Sequence, residues 1–83
     1  MRVISQNGLI DVPYDLTAFH VAGGFIRMNM MGETGKGTVI ANYSSEEKAR
    51  KAMKMMQAAY VRTTHILPVV FFYPKDDEIE VSE

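Results

Sequence analysis

The sequence predicts a small α+β domain: an antiparallel β-sheet built of hairpins, with one amphipathic helix packed on one face. Three observations predict this class: an Asn-Gly pair, a Gly-Gly pair, each lying between β-type runs, and one stretch with apolar residues at helical spacing. The 83 residues are enough for one domain with a thin core, and without cysteine the chain has no disulfide or thiolate chemistry. We assign residues 1–75 to this domain and residues 76–83 to an acidic, mobile C-terminal tail.

The β-type runs lie mainly in the first half of the chain. Asn7-Gly8 favours a type I′ turn between two short strands, and Pro13 ends the second strand or keeps it at a sheet edge. Gly23-Gly24 predicts a second hairpin, whose second strand has a core face formed by Ile26, Met28 and Met30. A further strand is expected from residue 38, and a last one in the run 66–73.

Residues 45–62 are the predicted helix. Ser44 and Glu47 have the spacing of a capping box, in which each side chain satisfies a backbone amide of the first turn. The core-facing stripe consists of Ala49, Ala52, Met53, Met56, Ala59 and Tyr60. The opposite arc carries the candidate nucleic-acid contacts, which are Lys48, Arg50, Lys51 and Lys54. A solvated helix face with ion pairs such as Glu46 to Arg50 explains the same pattern.

The segment MGETGKGTVI at 31–40 has some features of a phosphate-binding loop. A Walker A loop requires glycine at position 30, where the chain has Met30, and Ser or Thr directly after Lys36, where it has Gly37. A strand-like run follows, so the helix N-terminus that would bind phosphate is missing. We therefore expect a glycine-rich hairpin loop and no nucleotide cofactor.

The last predicted strand is apolar on both faces, and one helix covers only one face of a sheet. The apolar surface left over predicts an oligomer, most simply a dimer. The candidate interface residues are Met55, Leu67, Val69, Phe71 and Tyr73.

Charge is unevenly distributed although the net charge is only −1. Residues 44–65 carry +3 and residues 74–83 carry −4, so the helix and the tail can attract each other within one chain or between two. No nucleophile, base and orienting group can be assembled, and His20 and His65 lack metal-ligand spacing. We expect no catalytic, cofactor or metal site. The lack of a signal sequence or membrane-length apolar run predicts a cytoplasmic location.

Three stretches of the chain together resemble one group of small proteins. These stretches are RVISQNGLIDVPY, ANYSSEEKARKAMKMM and VVFFYPKDDE. The proteins of this group occur in Gram-positive bacteria and in their phages and mobile elements, and they open with an R-V-I-S-Q-x-G-x-x-D-V-P-Y motif. The resemblance implies a prophage or mobile-element origin and brings no activity, ligand or site residue. Within the motif, Pro13-Tyr14-Asp15 forms a fixed corner, and a binding role for Tyr14 and Asp15 stays open.

Two functions follow as hypotheses. The first is a small non-enzymatic interaction module, either a homo-oligomer or an adaptor for a phage or host protein. The alternative is a nucleic-acid-binding accessory protein that uses the basic face of the helix.

Overall fold

The computed structural model describes residues 1–63 and 70–81 and confirms the α+β class. In chain order the elements are β1 (Arg2–Ile4), β2 (Asp11–Pro13), β3 (Thr17–Ala22), β4 (Phe25–Met30), β5 (Thr38–Asn42), α1 (Glu46–Thr63) and β6 (Val70–Phe72). Single turns of 3-10 helix occur at Tyr14–Leu16 and Asp76–Glu78.

The strands form two three-stranded sheets, whereas we expected one. The first has the order β2-β1-β6, with β1 antiparallel to β2 and parallel to β6. The second has the order β3-β4-β5 and is antiparallel throughout. Both predicted hairpins are present, and β6 pairs within a sheet as expected. Its parallel direction is consistent with a long connection from β1, which includes α1.

The hairpin between β1 and β2 uses side chains in place of the predicted type I′ geometry. The Ser5 amide donates to the Ile10 carbonyl at 2.8 Å, and the Ile10 amide donates to Ser5 Oγ at 2.9 Å. Asn7 Oδ1 accepts from both the Ser5 hydroxyl and the Leu9 amide. Gly8 alone in this turn has a positive φ, +79°. The hairpin is therefore confirmed, but Asn7 contributes through its side chain.

The glycine-rich stretch connects β4 to β5 as a hairpin loop, which confirms its assignment. At Gly37, φ is +82°, and a Cβ there would lie 2.6 Å from the carbonyl oxygen of Met28. Only glycine fits this position without a shift of the backbone. The loop leads into β5, so no helix begins directly after it.

Helix α1 begins at Glu46, one residue later than predicted. The Lys48 amide donates to Ser45 Oγ at 3.2 Å, so the N-terminal cap is Ser45 and the expected box of Ser44 and Glu47 is wrong. The apolar stripe is confirmed, because Ala49, Ala52 and Met56 are buried. The helix packs on the inner face of β3 and β4, where Ile26 and Met28 are buried as predicted.

Gln6 links the two sheets to the C-terminal part of the chain. Its backbone amide donates to the Ile40 carbonyl at 3.0 Å, and its side-chain oxygen accepts from the Asn42 amide at 2.9 Å. Its side-chain nitrogen donates to the carbonyl of Pro74 at 3.2 Å. The Tyr43 hydroxyl donates to the same carbonyl at 2.7 Å. A single residue, Gln6 in the loop after β1, thus connects β5 with the segment that follows β6.

Two residues after β6 belong to the core, and one of them, Ile79, lies beyond the boundary expected at residue 75. Ile79 and Tyr73 are each only 3% exposed, and both lie in one cluster with buried residues of both sheets and of α1. The run of acidic residues suggested a solvated end, but the apolar Ile79 among them is buried. We call residues 73–81 the C-terminal segment.

Truncation of Ile79 tests this packing. We expect Ile79→Ala to lower the free energy of unfolding by about 2–3 kcal/mol, because it removes a buried apolar side chain and leaves a cavity. Leu9→Ala is the matched control; Leu9 is 84% exposed, and its loss should change stability by less than about 0.5 kcal/mol. Urea unfolding followed by circular dichroism measures both. Equal, small effects of the two substitutions would contradict the packing of the C-terminal segment.

Candidate interaction surfaces

The C-terminal segment lies along part of the basic face of α1. Lys48 Nζ donates to the carbonyl of Asp76 at 3.0 Å and lies 3.3 Å from its Oδ2. Lys51 Nζ donates to the carbonyl of Glu80. Opposite charges of helix and tail therefore meet within one chain, which is one of the two arrangements that the charge distribution allowed.

The other two basic candidates differ in their surroundings. Arg50 pairs with Glu46 at 2.9 Å across one helical turn, as the spacing predicted. Lys54 is exposed, and its side chain makes no hydrogen bond or ion pair with any residue that the structure describes. A groove of about 350 Å³ runs between α1 and the C-terminal segment, lined by Glu47, Arg50, Lys51, Lys54, Glu80 and Val81. Its lining has both signs of charge, so it lacks the uniformly positive potential that attracts a phosphate backbone.

Asp76 fixes the start of the C-terminal segment to the start of α1. Its Oδ1 accepts from the Ser44 amide at 2.7 Å, and its Oδ2 faces Lys48. These interactions, the Ser44 hydrogen bonds first and the Lys48 ammonium second, lower the pKa of the Asp76 carboxyl. The carboxylate thus satisfies an amide beside the helix N-terminus, where negative charge is favourable.

Two tyrosine hydroxyls form hydrogen bonds on the inner side of the C-terminal segment. The Tyr73 hydroxyl lies 2.9 Å from the Met56 sulfur, and the Tyr43 hydroxyl donates to Pro74. Burial raises the pKa of both phenols above the ordinary tyrosine value. Both therefore stay neutral donors at physiological pH and have a structural role.

The structure corrects which face of β6 is available for an interface. Tyr73 is buried and Phe71 is half-buried, so neither forms an open surface. Phe72, in contrast, is 65% exposed, and Val70 on the same face is also exposed. Because both faces of this strand are apolar, the sequence pattern could not distinguish inside from outside, and the predicted Phe71 and Tyr73 lie on the inward face. Of the other candidates, Met55 is exposed on α1, and Leu67 and Val69 lie outside the described residues.

An aromatic cluster joins the start of the chain to the end of α1. The Tyr60 hydroxyl donates to Asp15 Oδ1 at 2.8 Å, and the Tyr60 ring stacks on Tyr14 with centroids 4.1 Å apart. Phe19 stacks on Tyr14 at 5.9 Å. The hydrogen bond to the Asp15 carboxylate raises the pKa of Tyr60. The sequence marked Tyr14 and Asp15, but it placed Tyr60 in the core stripe and gave no signal of this pairing across 45 positions.

The described residues contain no candidate metal cluster and no helix that could cross a membrane. Within 1–63 and 70–81, no group of three or more His, Asp or Glu side chains could hold a metal ion. His20 is exposed on the outer face of β3, opposite Arg27 of β4, and His65 lies outside the described part of the chain. No described helix is long and apolar enough to cross a membrane.

Asp76→Asn tests the contact between the C-terminal segment and α1. Folding lowers the Asp76 pKa, so its contribution to stability is present above the unfolded-state value of about 4 and is lost as pH falls through the folded-state value. We expect Asp76→Asn to lower stability at neutral pH and to make it fall less on acidification than in the wild type. Asp77→Asn, which removes an exposed neighbouring carboxylate, is the control. Urea unfolding at several acidic pH values measures this; identical pH profiles for Asp76→Asn and the wild type would contradict it.

Comparison of the chain with models of known protein families, with curated proteins and with solved structures found no match. Function is therefore inferred from the residues and from their geometry.

Proposed function

We propose that this chain is a small non-enzymatic interaction module that associates with a second copy through the outward face of β6. The observation that carries the proposal is the exposure of Phe72, a large aromatic side chain, beside Val70 on a strand at the edge of its sheet. Aromatic side chains in such positions are typical anchors of protein interfaces. A location in the cytoplasm and a prophage or mobile-element origin remain predictions from the sequence.

The position of β6 in its sheet supports self-association. Among the described strands, β6 pairs with β1 alone, so one of its edges has no strand beside it. Its sequence, Val-Phe-Phe, contains neither the charged residues nor the proline with which edge strands usually avoid pairing. Two copies related by a two-fold axis would bring two β6 edges together, and their two Phe72 rings would pack against each other on the outward face.

The basic face of α1 gives less support to the nucleic-acid alternative. Lys48 and Lys51 bind the C-terminal segment, and Arg50 pairs with Glu46, which leaves Lys54 as the one of the four without such a contact in the described residues. Binding to a phosphate backbone would compete with these contacts. Nucleic-acid binding through Lys48, Arg50, Lys51 and Lys54 stays a prediction.

Substitution of Phe72 tests the proposal. We expect the wild type to dimerise with rising concentration and Phe72→Ser to weaken the association at least about tenfold, because each dimer loses two buried aromatic rings. Sedimentation equilibrium over a wide concentration range measures this.

Met31→Ser is the matched control, because Met31 is similarly exposed but lies in the loop after β4. It should associate as the wild type does. A wild type that stays monomeric throughout, or a Phe72→Ser variant with unchanged association and an intact fold, would overturn the proposal.

A further inference from the structure

A second concave site lies at the corner between β2 and β3. It has a volume of about 200 Å³ and is lined by Asp15, Leu16, Thr17, Ala18 and Met31. We call it the Asp15 pocket. Its walls are apolar apart from one hydroxyl and one carboxylate, which is the composition of sites that bind an apolar group carrying a single polar end.

The backbone that forms the Asp15 pocket is fixed from both sides. The Met31 amide donates to the Leu16 carbonyl at 3.0 Å, which joins the loop after β4 to the 3-10 turn. The Thr17 hydroxyl donates to the Pro13 carbonyl at 2.6 Å across the same turn. These bonds hold the walls in place without any ligand, so binding would need little reorganisation.

The carboxylate of Asp15 is oriented by the aromatic cluster. Tyr60 donates to Oδ1 at 2.8 Å, and the stack with Tyr14 holds the Tyr60 ring. Among the described residues no hydrogen bond or ion pair reaches the other oxygen, Oδ2. One carboxylate oxygen is therefore held, and the other remains an acceptor beside an apolar cavity.

The apolar walls are left open to water. Leu16 is 50% exposed and Met31 is 76% exposed, and both line the same pocket as Asp15. Covering them with an aliphatic chain would remove apolar area from water, and the methionine can adapt its shape to that chain.

We propose that the Asp15 pocket binds a lysine side chain of a partner protein, with the ammonium group at Asp15 Oδ2 and the aliphatic stem along Leu16, Ala18 and Met31. Lysine combines a four-carbon stem with a point charge at its end. Arginine fits less well, because a guanidinium that binds through two parallel hydrogen bonds would have to share Oδ1 with the Tyr60 hydroxyl. This inference does not depend on self-association through β6.

Titration with short peptides, followed by ¹⁵N-¹H spectra of the full chain, tests the proposal. The probes are acetyl-Ala-Lys-Ala-amide, its arginine counterpart, and a norleucine counterpart that keeps the stem and lacks the charge. We expect the lysine peptide to shift the amide signals of residues 15–18 and Met31. Its binding should be stronger than that of the norleucine peptide by a factor on the order of three, as for an exposed ion pair.

Two substitutions separate the contributions to this binding. Asp15→Asn should abolish the preference for lysine over norleucine, whereas Asp77→Asn, an exposed carboxylate elsewhere, should leave it unchanged. Tyr60→Phe keeps the aromatic stack and frees Oδ1, so the arginine peptide should gain relative to the lysine peptide. Equal shifts with lysine and norleucine, a preference that survives Asp15→Asn, or no shifts in this region would each overturn the proposal.

Discussion

The carbonyl of Pro74 is the point on which this small fold depends. It accepts from Gln6 of the first hairpin and from Tyr43 at the end of β5, and it lies between Tyr73 and the turn that leads to Ile79. A domain of this size has a thin core, so each buried side chain contributes a large fraction of the buried apolar surface. With the C-terminal segment in place, the two sheets and α1 share one core; without it, Tyr73 and Ile79 would leave that core.

The same segment decides which surfaces are open. It occupies Lys48 and Lys51 of α1 through Asp76 and Glu80, so the basic face is partly neutralised from within the chain. Tyr73 turns inward because it belongs to this segment, and the alternation of a strand then turns Phe72 outward. Internal packing at one end of the chain thus creates the apolar surface on β6 that we propose as the interface.

Much of the fold could be predicted because its signals are local. Asn7-Gly8, Gly23-Gly24 and the stripe of α1 each depend on neighbours in sequence, and the structure contains all three elements. The division into two sheets and the parallel pairing of β6 depend on contacts across most of the chain, which no local pattern specifies. The acidic residues around Ile79 concealed its burial, although an apolar residue within a charged run was a signal for it.

The candidate sites were harder to predict for the same reason. Val70 to Tyr73 is apolar at every position, so a shift of one residue exchanges the inner and outer faces, and the pattern cannot decide between them. The partners of Lys48 and Lys51 could be expected only as opposite charges. The pairing of Asp15 with Tyr60 had no signal at all, because each residue had an adequate local explanation, one in a turn and one in the helix stripe. Amide hydrogen exchange at Tyr73, which donates to Ile4, and at Ser44, which donates to Asp76, tests the packing of the C-terminal segment most directly. We expect both amides to be protected nearly as well as those in the middle of α1, whereas exchange at the rate of an unfolded chain would contradict this packing.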